Sequence, residues 1–214
     1  MSRLTTRQAV RLFPYLITFT CVYMLAWGAI YLAHGNWEFL TYLVVVTGGA
    51  YLVLTTVNQT RLSRGTLWAI SIAGLIHLSC GFIQVDGNVL YEFRIWDLYD
   101  GEGDFYILKM DQVVHFYGYG LAAVAIHEVL SGRIVKGSYP GMILFLSWTG
   151  SLGISAINEV MEYLASISYA ETNVGDMHNM GLDLIANTLG AALGTLGAHF
   201  WWNKKREEEK AEHA

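Results

Sequence analysis

The sequence predicts an all-α fold, a polytopic membrane helix bundle with six transmembrane helices. Three observations carry this. Hydrophobic residues make up 54% of the 214 and charged residues only 14%, well below the share of about a quarter usual in soluble domains. The charges cluster, leaving six long apolar runs of roughly spanning length. Lys and Arg fall almost wholly on alternate connecting segments, the asymmetry that membrane insertion imposes. Each spanning run reads as a helix, because only a helix or a closed barrel satisfies its own backbone in lipid.

Residues 1–214 read as a single membrane domain. Arg3, Arg7 and Arg11 precede the first span, about 12–33, and no acid accompanies them. Pro14 sits in its first turn, where a missing N–H costs little, and no small-residue cleavage site follows, so the run reads as an uncleaved anchor. A short turn, 34–37, leads to a second span, about 39–57. Arg61 and Arg64 separate it from a third, about 66–83. The segment 84–110 reads as a loop lying in the outer interface as a lid, because its six acids alternate with large apolar residues. Asp100, Glu102 and Asp104 alternate as in a calcium loop with Asp111 at the twelfth position, but Phe105 stands where such a loop needs glycine. Further spans run about 110–130, 141–164 and 182–202, and a charged tail, 204–214, reads as a solvated helix end. Trp201 and Trp202 read as an interfacial belt.

Eleven Lys and Arg fall on one set of segments, and Arg94 and Lys109 alone on the other. The richer side is the cytoplasmic one, which predicts a multi-pass protein of the cell (plasma or inner) membrane with both termini cytoplasmic. No basic face with interleaved aromatics exists, which excludes nucleic acid as a partner. Membrane lipid is the expected surrounding, and nothing in the pattern points to an oligomeric state. Cys21 and Cys80 lie in apolar runs and read as packing residues.

This orientation brings polar residues from three spans to one depth. Asp111 and His115 lie one turn apart at the outer end of the fourth span. Glu159 and Glu162 lie near the outer end of the fifth, and Asp183 and Asn187 open the sixth. The spacings of three and four put each pair on one helix face. Acids in such apolar surroundings are expensive to keep. Asp176 and His178, in the loop 165–181, are within reach of the same place, as is His77 on the third span. Carboxylates with a neutral imidazole are ordinary ligands for a divalent metal, Zn²⁺, Mn²⁺ or Fe²⁺. Without such an ion, repulsion and desolvation would force protons onto some of the acids.

His127 and Glu128 read as an interfacial pair at the inner end of the fourth span. Ser147, Ser151 and Ser155 form a small-residue stripe leading toward Glu159, and Gly190 and Gly194 form another below Asn187. Both stripes signal close helix packing.

The run Asp111-Gln112-Val113-Val114-His115-Phe116, the Glu159/Glu162 pair, and Asp183-Leu184-Ile185-Ala186-Asn187-Thr188-Leu189-Gly190 with Gly194 resemble the signature of VanZ-like membrane proteins. The resemblance covers roughly 111–197. Glu162 stands where those proteins usually carry Gln, and the Arg expected before the final Asp is absent. The stretch 155–162 and the additional spans look closer to the YjdF-like inner-membrane family. The resemblance implies a cell-envelope setting and supports the site and topology.

The leading expectation is metal-dependent hydrolysis or transfer on a lipid or isoprenoid-linked substrate. Asp111, His115, Glu159 and Asp183 hold the metal, Glu162 acts as catalytic general base, and Asn187, His178 and Asp176 contact the bound group. One alternative is a small proton-coupled transporter or lipid translocase using Glu159 and Glu162. A second is a non-catalytic structural role in which the acids pin helices together.

Overall fold

Helix boundaries in the chain follow local chemistry. In the computed structural model, which describes residues 13–97, 106–133, 139–169 and 172–212, six α-helices carry the fold. They are α1 (Pro14–His34), α2 (Trp37–Thr60), α3 (Arg64–Cys80), α4 (Met110–Ser131), α5 (Pro140–Ser168) and α6 (Met177–Glu212). Pro14 and Pro140 take the first helical positions, where no N–H is needed. Side chains satisfy the orphan amides of the other starts. Asn36 accepts from the Phe39 N–H at 3.0 Å, Ser63 from Thr66 at 3.1 Å and Asp176 from Asn179 at 3.0 Å. Gln112 reaches back to the Lys109 amide at 2.7 Å. α1 stops at Gly35, whose φ of 65° lets the following amides turn back onto the last carbonyls.

The segment expected as a plain loop, 84–110, is partly β-structured. β1 (Gln84–Val85) and β2 (Asn88–Val89) pair antiparallel, and so do β3 (Arg94–Asp97) and β4 (Tyr106–Lys109). Asp86 and Gly87 both adopt positive φ, 51° and 85°, the two-residue turn that an Asp-Gly pair favours between strands. The bundle therefore carries a small β cap at one end. The Asp100, Glu102 and Asp104 alternation lies outside the described residues.

The protein is a helical membrane bundle, but the expectation of six spans is met by four. By length and composition α1, α2, α4 and α5 can cross a membrane. α3 has only 17 residues, and α6 is diluted by Asp183, Asn187, Thr188, Thr195 and His199. The exterior is apolar, with Leu25, Val44, Ile157, Leu193 and Phe200 all exposed, as suits a chain whose solvent is hydrocarbon.

α4 is the central helix and packs most extensively on α6, then on α5. Its contact with α6 is backbone to backbone. A Cβ on Gly190 would stand 2.1 Å from the Phe116 carbonyl oxygen, and one on Gly194 would stand 2.1 Å from that of Gly120. Both partners advance by four residues, so α4 and α6 run parallel, with α5 antiparallel between them in the chain. Only glycine permits this approach. A second core of aromatic side chains, including Tyr23, Tyr31, Phe39, Tyr42 and Tyr91, ties α1, α2 and α3 to the 3-10 turn Leu90–Glu92.

Candidate functional site

The glycine-set register of α4 on α6 fixes which polar residues meet. Above the Gly120/Gly190 crossing, His115 Nδ1 lies 3.1 Å from Asn187 Oδ1. One turn higher, Gln112 Nε2 donates to Asp183 Oδ1 at 2.6 Å. Asn179 stands one further turn up α6 and donates to Asp183 Oδ2 at 2.7 Å and to Asp111 Oδ2 at 2.9 Å. Asn179, Asp183 and Asn187 thus form a ladder at four-residue spacing, which keeps all three on one face.

α5 supplies the other wall through its buried serine face. Ser151 donates to the Tyr119 carbonyl at 2.7 Å, and Asn187 Nδ2 donates to Ser155 at 2.7 Å and to Glu159 Oε1 at 3.1 Å. The serines therefore hold α5 against both neighbours, and Ser147 bonds within its own helix to Ile143.

His115 is the hub. Its Nε2 lies 3.5 Å from Asp111 Oδ1 and 3.5 Å from Glu162 Oε1, and its Nδ1 lies 3.6 Å from Glu159 Oε1. Asp183 and Asn187 are wholly buried, while Asp111, His115 and Glu159 are nearly so. Glu162 is half-buried and takes a 2.6 Å hydrogen bond from Asn158. The structure thus brings Asp111, His115, Glu159, Glu162, Asp183 and Asn187 together. An amide side chain donates to each of the four carboxylates: Asn158 to Glu162, Asn179 to Asp111, Asn187 to Glu159 and Gln112 to Asp183. One imidazole and four neutral amides thus face four acids.

Asp176 and His178 stand outside this cluster. Asp176 is exposed and caps α6 through the Asn179 amide. That hydrogen bond is the main reason its carboxyl lies below the usual range. His178 Nε2 sits 3.0 Å from the Tyr106 carbonyl. His127 and Glu128, expected together at the inner end of the fourth span, have separate partners. His127 is 1% exposed and faces Ser131, while Glu128 accepts the Ser63 N–H at 3.0 Å, fastening the α2–α3 turn to α4.

A pocket of about 320 Å³, its open mouth included, lies in front of Asp111, His115 and Glu162. Of its far wall the sequence pointed to His77 alone. Glu38 and Tyr42 come from α2, His77 from α3, Tyr91 from the 3-10 turn, and Asn173 from the loop before α6. Glu38 is 6% exposed and accepts from both the backbone and side-chain nitrogens of Asn173 at 3.1 Å. Tyr91 faces His77 Nδ1 at 2.5 Å, and burial, then the nearby Asp111 charge, hold its hydroxyl well above the usual phenol range. Just before α4, Lys109 is buried against Glu92 at 2.8 Å. Burial alone would lower its pKa, but the Glu92 pairing overrides that and keeps it above the ordinary lysine value.

Gln112 and Asn179 were also missed, although they carry the network. The available signal was position. Gln112 adjoins Asp111, and Asn179 extends the Asp183/Asn187 spacing by one more turn.

Fold and site together define a polytopic helical membrane protein with a buried carboxylate–histidine cluster at one end of its bundle. Residues 13–204 match the family described as Predicted membrane protein (DUF2238), and the chain belongs to that family. No curated protein and no solved structure matches it.

Proposed function

We propose that the chain holds a divalent metal ion among Asp111, His115, Glu159 and Asp183 and uses it in hydrolysis or group transfer on a lipid or isoprenoid-linked substrate. The observation that carries this reading is the concentration of four carboxylates around one imidazole. Ligand atoms of Asp111, His115 and Asp183 lie within 4.8 Å of one another, as do those of His115, Glu159 and Glu162. Four acids in a dry site repel one another and lose hydration, and a cation relieves both penalties. Carboxylate oxygen and imidazole nitrogen suit Zn²⁺, Mn²⁺ or Fe²⁺. Such an ion, when bound, supplies Lewis-acid polarisation and an acidified water.

The chain's own groups divide the remaining work. Glu162 lines the pocket and is the candidate general base, with one oxygen steadied by Asn158 at 2.6 Å. Asn187 holds His115 by Nδ1 and so aims Nε2 at Asp111 and Glu162. Asp176 contributes by fixing Asn179, and His178 by contact with Tyr106. The resemblance to VanZ-like and YjdF-like proteins supports a site at these positions and a cell-envelope setting.

The reading includes six crossings of the cell membrane, both termini cytoplasmic and the pocket at the outer end. α6 turns Asp183 and Asn187 inward but exposes Leu184, Ile185, Leu189, Leu193 and Phe200, which gives it a lipid face despite its polar one. α3 at 17 residues spans roughly 26 Å at the α-helical rise, close to a thin hydrocarbon core. Elemental analysis of detergent-purified protein tests the metal. A stoichiometric ion, lost in Asp111→Asn/Asp183→Asn and removable by chelator with a lower melting midpoint, is expected. Metal-free protein whose melting ignores chelator refutes it.

The amide network favours one other reading, that the acids pin α4, α5 and α6 together without chemistry. In that case Glu162→Gln, which keeps the Asn158 contact geometry, leaves every cellular phenotype unchanged.

A further inference from the structure

The wall of the pocket opposite the acid cluster is aromatic. Phe39 and Tyr42 meet edge to face at 5.3 Å, Phe39 and Tyr91 lie 5.8 Å apart, and His77 lies 5.8 Å from Tyr42. Three carboxylates, Glu38, Asp111 and Glu162, border the same space together with the imidazoles of His77 and His115, and none of its lining residues is Lys or Arg. Aromatic faces and carboxylates share one preference. Both attract a cation, and both leave an anion unsolvated.

We propose that this pocket is the subsite for a primary ammonium group, as carried by the head group of an amine-bearing lipid. A primary ammonium has three N–H donors to offer the carboxylates that line the pocket, whereas a quaternary ammonium has none to give. The enclosed part of the pocket is of water size, room for the ammonium group itself, and it leaves the rest of the head group and the acyl chains outside. Its position suits that division, because it lies where α2 begins and α3 ends, at one end of the bundle. Glu38 is pre-positioned for the role. The Asn173 nitrogens hold it at 3.1 Å, so it does not reorganise on binding. The inference names the substrate's head group for the reaction centre proposed above. Glu38 and the aromatic wall lie outside the metal set, while Asp111 and Glu162 are shared with the reaction centre.

The test measures binding to the purified full chain in detergent, by calorimetry and melting shift, before and after chelator treatment. The probes are short-chain phosphatidylethanolamine, phosphatidylcholine and phosphatidylglycerol, and free ethanolamine. The ethanolamine lipid binds and raises the melting midpoint, and the other two lipids do not. Glu38→Gln keeps an oxygen for Asn173 but removes a charge, and it weakens the amine lipid by about tenfold, the loss of one charge-assisted hydrogen bond. Free ethanolamine binding as well as the lipid supports a soluble amine as the source; binding of the lipid alone supports a membrane lipid. Choline or glycerol lipids matching the ethanolamine lipid, or no amine binding at all, overturn the proposal. The lipid series on the unmodified chain decides this even where Glu38→Gln fails to fold. Amine binding that survives chelator separates this result from the fate of the metal.

Discussion

A single methyl group at Gly190 should dismantle the site from below. The added Cβ would stand 2.1 Å from the Phe116 carbonyl oxygen and 2.8 Å from its carbon. Both atoms are backbone, so no rotamer change relieves the clash, and α4 and α6 must separate by more than 1 Å to restore an ordinary contact. The same separation acts on the polar rungs above. The His115–Asn187 contact of 3.1 Å would open past any useful hydrogen-bond length. Overpacking costs about 1–3 kcal/mol, and each interhelical hydrogen bond lost in the membrane adds roughly 0.6 kcal/mol. Gly190→Ala should therefore destabilise by about 2–4 kcal/mol, read as the midpoint of denaturant unfolding in mixed micelles. Gly118→Ala is the control, because its Cβ meets nothing within 4 Å, and it should be neutral or slightly stabilising. Equal stability of Gly190→Ala and Gly118→Ala would refute the claim that backbone contact sets the α4–α6 register.

Two further perturbations test the upper end of the site. Asn179→Ala removes the donors to Asp111 and Asp183 and the acceptor for Gln112. It should cost about 2–4 kcal/mol through the unsatisfied groups left behind, while Asn179→Asp, which adds a fifth acid, should be worse in the same unfolding assay. Asp176 caps α6 with a carboxyl pKa below the usual value. The unfolded chain thus binds that proton more readily, and the cap's stabilisation is present above the ordinary aspartate pKa and fades as pH falls through the folded one. Asp176→Ala should lower stability at neutral pH by about 1 kcal/mol, as for other N-caps, and flatten the acid limb of a melting-versus-pH profile. A profile parallel to that of the unmodified chain counts against the cap.

The cluster was legible because its residues repeat at helical spacing inside apolar runs, where any acid stands out. Asp111/His115, Glu159/Glu162 and Asp183/Asn187 are each written within about one turn, and the expectation that successive helices alternate in direction put them at one end. Gly190 and Gly194 announced close packing, although not that their partner would be the Phe116–Gly120 backbone. The opposite wall was hidden for a different reason. Glu38 and Asn173 are 135 residues apart, and each alone looks like a helix-start acid and a loop amide. Tyr42 and Tyr91 were equally inconspicuous among thirteen tyrosines. The two strand pairs escaped notice because each strand is only two to four residues long, too short for an alternation to register. α6, read from the sequence as a span, is not one of the four helices apolar enough to cross by composition, because the face that lines the site is polar.

The parallel seating of α6 on α4 has a consequence for biogenesis. As the chain leaves the ribosome, α4 enters the membrane with Asp111, Gln112, His115 and the Gly120 groove facing no partner, and α5 closes only one side. The groups that complete the cluster, Asn179, Asp183 and Asn187, arrive one full helical hairpin later. Until then the nascent bundle must hold a half-built acidic face in lipid, in a state that an insertase or a passing cation would shelter. The site is therefore complete only once α6 has seated on α4, and a chain truncated before Met177 should lack it.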